Sequence, residues 1–135
     1  MQSAKLARLL LQKAEQDRYV VDRLFDDPSA PDEVIGFHAQ QAVEKAIKAV
    51  LASRAIAYRR THQLEELLAV ATKSGIPYPP ELQEAVTLTS FAVDFRYDML
   101  PVRDDAAAPF DRQAAKRCVE RILDWATSVL HELPA

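Results

Sequence analysis

The stretch FHAQQAVEKAIKAVLA, Phe37 to Ala52, repeats its apolar residues on a period near 3.6 rather than 2. Extended back to Asp32 and forward to Ser53, it reads as one helix whose broad apolar face holds Ile35, Ala39, Ala42, Val43, Ala46, Ile47, Ala49 and Val50. So many alanines on that face permit close helix approach. Gln41, Glu44, Lys45 and Lys48 occupy the opposite arc, with His38 at its border. Gln40 falls inside the apolar sector and is expected to be buried and hydrogen-bonded.

Upstream, a second helical pattern runs from about Ser3 to Phe25, with Ala7, Leu10, Ala14, Val21 and Leu24 in register. At 100° per residue, Asp17 lies within roughly 20° of Leu10 and 40° of Val21, so its carboxylate is expected to face inward and to need a donor. Asp26 to Asp32 carries two prolines and reads as a loop. Downstream, Ala55 to Arg60 is a connector, and Thr61 is the expected N-cap of a third helix ending near Gly75. Ile76-Pro77-Tyr78-Pro79-Pro80 cannot continue it, and Pro80 can open a fourth helix to about Tyr97. Met99 to Phe110 reads as a long surface loop, after which Asp111 can cap a fifth helix bearing Ala115, Cys118, Val119, Ile122, Ala126, Val129, Leu130 and Leu133. The expected architecture is all-α, a single domain over residues 1–135 formed as an up-and-down bundle of about five helices.

Composition narrows the function classes. Two glycines in 135 residues, with alanine, leucine and glutamate abundant, favour helices over turn-rich sheets. The formal charge of -3 supplies no global field for nucleic acid, so any RNA contact needs a local basic patch. Cys118 is the sole cysteine, cannot form an intramolecular disulfide, and falls on an apolar helical stripe as a structural thiol. No apolar run approaches the ~20 residues of a membrane span, and the opening MQSAKLARLLLQKAEQD lacks a cleavage signal, so a cytoplasmic, membrane-free protein is expected. His38, His62 and His131 have no metal-ligand spacing with one another or with Cys118, and neither a metal nor a cofactor is expected.

FHAQQAVEKAIKA (Phe37 to Ala49), RTHQL (Arg60 to Leu64) and DFRYD (Asp94 to Asp98), following an opening helix with LLLQKAEQDRYVVDRLF, resemble the HEPN family in order and spacing over essentially the whole chain. The first segment is the most specific. The resemblance implies a bundle of four or five helices that homodimerises and is associated with nucleotides or RNA. It also implies a frequent partner, a minimal nucleotidyltransferase encoded alongside to give a toxin–antitoxin pair. Ribonuclease members carry an arginine followed a few residues later by a histidine, and two such pairs meet across the dimer to cut RNA without metal. Arg96 stands where that arginine would, but Tyr97-Asp98-Met99-Leu100-Pro101-Val102-Arg103 follows, without a histidine. No group titrating near neutrality is then evident to assist a ribose hydroxyl, and ribonuclease activity is not expected. The tyrosine that some relatives nucleotidylate is also missing from its usual place. A ribonuclease with a rearranged site built on Arg96, and a structural dimerisation protein without a ligand, are the alternatives.

Within that frame, the candidates for contacting nucleotide or RNA are Arg96, Tyr97, Lys45, Lys48, Arg60 and His62. Arg96 either pairs with Asp94, Asp98 or Asp17, or offers its planar fork to phosphate. Tyr97 either stacks on a base or anchors a helix end. Lys45, Lys48, Arg54, Arg59 and Arg60 form a basic run that is either a solvated face or part of a positive cleft. His62, after Arg59 and Arg60, could serve an anion site at the start of the third helix. Asp17, His38, Gln40 and Gln41 are the candidates for a polar core network, with His38 expected to meet Asp17, Gln41 and Arg96.

Overall fold

The computed structural model describes residues 2–85 and 110–132. Its elements are α1 (Gln2–Leu24), α2 (Asp32–Ser53), α3 (Leu64–Lys73), the helical start of α4 at residues 81–85, and α5 (Arg112–Leu130). There is no strand among the described residues. The bounds of α1 and α2 fall within a residue of those expected from periodicity, because both helices are long and strongly patterned. The remainder of the expected fourth helix and residues 99–109 of the expected loop lie outside the described residues, as do Arg96, Tyr97 and Leu133.

Helix α2 is the centre of the packing. It contacts α1 most extensively, then α5 and α3, while α1 and α5 also touch. Ala39, Ala42, Ala46 and Ala49 are wholly buried on α2, so its backbone can approach neighbours that supply the bulk, including Val21 of α1, Leu64 and Leu67 of α3, and Ile122 and Leu123 of α5. Every stripe position expected on α1 and α5 and lying within the described residues is buried or packed against this core.

Helix ends follow local chemistry. Ile56 N–H reaches back to the Leu51 carbonyl at 2.9 Å across Ala55, whose φ is +56°, and Ile76 N–H reaches Ala71 at 3.0 Å across Gly75, whose φ is +75°. Both closures need a left-handed residue, and only the second uses glycine. Asp111 caps α5 as expected, accepting from Ala114 N–H at 3.0 Å. Thr61 does not cap α3. Its hydroxyl accepts from Gln63 N–H at 3.0 Å, which completes a local turn, and the helix begins only after Gln63.

Arg112 ties the turn between α1 and α2 to the start of α5. It donates from Nε to Asp32 at 2.7 Å, from Nη1 to the Asp27 carbonyl at 2.7 Å, and from Nη2 to the Ala30 carbonyl at 2.6 Å. These bonds fix the α1–α2 loop against the first turn of α5.

Candidate functional site

Two carboxylates are buried along the polar side of α2. Asp17 of α1 is 8% exposed, and its oxygens are divided between His38 Nδ1 at 2.8 Å and Lys45 Nζ at 2.7 Å. Asp17 and His38 meet as expected, Lys45 joins them although the sequence placed it only among the binding candidates, and the inward carboxylate has both a cation and an imidazole as donors. Gln41 does not join them. Its amide donates instead to Gln40 Oε1 at 3.0 Å.

Glu44 is the second carboxylate and overturns the wheel-based expectation that it faces solvent, being 3% exposed. It accepts from Gln40 Nε2 at 2.9 Å, Lys48 Nζ at 2.8 Å and His62 Nδ1 at 3.1 Å. Gln40, buried as expected, also donates to the His62 carbonyl at 3.2 Å, which fastens residues 61–63 over this part of α2. The spacing Gln40, Glu44, Lys48 places the three on one helical ridge. That ladder was the sequence signal available for Glu44; the covering connector had none. Burial, with the negative charge of Glu44 nearby, also raises the Tyr58 hydroxyl above its ordinary pKa.

The pair of clusters has a common design in which one buried carboxylate holds one lysine and one histidine. An ionised carboxylate can only accept, so Nδ1 of each histidine is the donor in these contacts. The His62 side chain is 65% exposed, whereas His38 is 30% exposed and lies edge-on to Phe37. Lys45 and Lys48 are charge-neutralised in place. The rest of the basic run is divided rather than gathered: Arg59 pairs with Glu66 of α3, Arg54 approaches Glu132 beyond α5, and Arg60 is exposed. Among the described residues no group of three or more His, Cys, Asp or Glu side chains could hold a metal, and no helix is long and apolar enough to cross a membrane.

Cys118 is buried, donates to the Glu81 carbonyl at 3.2 Å, and is pushed up to about 12 chiefly by burial, with Glu84 and Glu81 adding to the effect. A thiol so protonated is a packing group and not a nucleophile.

Comparison with known proteins gives these clusters a context. The chain matches the HEPN domain over residues 7–130. A segment of 56 residues, 42% of this chain, is 45% identical to MJ1304 of Methanocaldococcus jannaschii, a protein provisionally named a toxin. That segment spans only 36% of MJ1304. The crystal structure of an archaeal HEPN homologue superposes with a TM-score of 0.65 at 24% identity, covering 92% of this chain and 97% of the other, and speaks for the fold.

Proposed function

The chain belongs to the HEPN domain family, and on that premise we propose that it is a nucleotide- or RNA-associated binding and regulatory module. In this reading it acts as a homodimer and partners a minimal nucleotidyltransferase in a toxin–antitoxin-type pair, without ribonuclease activity. The toxin–antitoxin setting draws on the partial likeness to MJ1304.

The observation that carries the reading is the commitment of the polar groups on α2. Metal-independent cleavage needs an imidazole free to exchange protons beside a phosphate-binding arginine. The seven residues that follow Arg96, Tyr97 to Arg103, include no histidine. Nδ1 of His38 is bonded to the Asp17 carboxylate and Nδ1 of His62 to the Glu44 carboxylate, and each carboxylate is also paired with a lysine, so both imidazoles belong to ion-paired clusters built on α2. Such clusters hold a surface in one shape, which suits binding.

The test incubates the purified protein with structured RNAs in EDTA, beside an Arg96→Ala variant, and follows both cleavage and retention on a filter. Intact RNA, retained by the protein and released from the variant, supports the binding reading. Cleavage that disappears in Arg96→Ala replaces it with a ribonuclease whose site has been rearranged, and intact RNA that is never retained removes the RNA ligand.

A further inference from the structure

The proline connector after α3 and the outer face of α5 border an open groove of about 570 Å³ that shares no residue with the polar clusters of α2. Its volume is within the roughly 300–1,000 Å³ typical of small-molecule sites. Pro77, Tyr78 and Trp125 supply aromatic and apolar lining, and Arg54 and Arg121 line it as well.

The aromatic wall is fixed before any ligand arrives. Trp125 Nε1 donates to the Pro77 carbonyl at 3.1 Å. The Tyr78 hydroxyl is bonded to Thr72 Oγ1 and accepts from Gln83 Nε2, each at 3.1 Å. The connector itself is anchored by Ile76 N–H on Ala71. A wall already ordered spares a ligand the cost of ordering it.

The two arginines are loosely engaged. Arg54 approaches Glu132, and Arg121 approaches Glu81, at 3.5 Å each. Those separations exceed the roughly 2.7–2.9 Å of a charge-assisted hydrogen bond, so each guanidinium keeps donors for another acceptor. Asp124 and Glu132 also line the groove, which makes its formal charge balanced. A balanced lining gives no field to hold a polyanion such as an RNA strand, whereas one anionic group can be gripped in a guanidinium fork. Asp124, approached by Arg18 at 3.7 Å, and Glu132 are both exposed and retain acceptor capacity for the ligand's own N–H or O–H groups.

We propose that this groove binds a small planar aromatic molecule carrying a single anionic group, with its ring on Trp125 and Tyr78 and its anion on Arg54 and Arg121. A nucleoside monophosphate and an aromatic carboxylic acid share that chemistry.

Trp125 is the chain's one tryptophan, so its fluorescence reports on this groove alone. The protein and an Arg54→Ala/Arg121→Ala variant are titrated with AMP, phenylacetate, adenosine and inorganic phosphate, after circular dichroism has checked that the variant is folded. The expected result is saturable quenching by AMP or by phenylacetate, weakened roughly tenfold or more in the variant, with adenosine and phosphate much weaker. Whichever of the two ring anions saturates identifies the source as phosphate or carboxylate. Calorimetry on Trp125→Ala, with the arginines kept, should show the same ligand's affinity reduced. No saturable change with either ring anion at millimolar concentration, or equal affinity in the arginine variant, overturns the proposal. The RNA assay does not enter this readout, so each proposal can fail alone.

Discussion

Glu44 and His62 are 18 positions apart in sequence and joined at 3.1 Å, a carboxylate 3% exposed holding an imidazole 65% exposed. The dependence between them is one-sided. Without His62, Glu44 still has Lys48 and Gln40 as donors, whereas without Glu44 the Lys48 ammonium and the Gln40 amide lose an acceptor in a largely dry place. Glu44→Ala is therefore expected to cost roughly 3 kcal/mol, and His62→Ala under about 1 kcal/mol. Urea denaturation of both variants checks the ordering; equal losses would mean that the carboxylate is not buried in solution.

Asp17 joins α1 to α2 through His38 and Lys45. Asp17→Ala leaves both donors without an acceptor, and we expect a loss of about 1–3 kcal/mol. The double variant Asp17→Ala/Lys45→Met should recover part of it, since a neutral side chain of similar length no longer requires a counter-charge. Thermal melts of the single and double variants decide, and an unchanged melting temperature for Asp17→Ala would remove the cluster's structural role.

Ala55 occupies the left-handed position that closes α2, at φ +56° and exposed to solvent. A Cβ there is strained, and glycine removes the strain at some entropic cost in the unfolded chain. Ala55→Gly is expected to raise stability by up to about 1 kcal/mol. A lower melting temperature would contradict the strain argument.

The long helices were legible because burial of a whole face imposes one period on more than twenty residues, as in α1 and α2. Asp17 was legible for the same reason, as a charge inside an apolar stripe. Glu44 was not, because a helical wheel assigns any charge on the polar arc to water, and the cover comes from residues 61–63, brought by a connector whose path no periodicity encodes. Arg112 was also missed, although it carried a signal. A cation in the first helical turn opposes the helix dipole, so its presence there implies a specific partner. The candidates Arg96 and Tyr97 lie outside the described residues.

That cation gives a sharp prediction. Arg112 reaches Asp32 and the carbonyls of Asp27 and Ala30, which belong to a loop more than eighty positions away. Arg112→Ala should cost about 2–4 kcal/mol, and Arg112→Lys should recover little, because an ammonium cannot span three acceptors in the plane of a guanidinium. Equilibrium unfolding of the two variants is the check. Full recovery by lysine would show that only the charge matters.

Cys118 links the core to alkaline pH. Its thiol is pushed from an ordinary value of 9.0 up to about 12, first by burial and then by Glu84 and Glu81. With the folded value raised, the folded state keeps its proton between about pH 9 and 12 while the unfolded chain releases it. The stabilisation associated with the neutral thiol is thus complete below pH 9 and is lost progressively as pH rises toward 12. At about 1.4 kcal/mol per unit, the loss at one unit above pH 9 is a little over 1 kcal/mol. Cys118→Ala removes this slope along with some packing. Denaturation midpoints between pH 8 and 10.5 should therefore fall faster in the native protein than in the variant, and parallel declines would show that the thiol does not stay protonated in the fold.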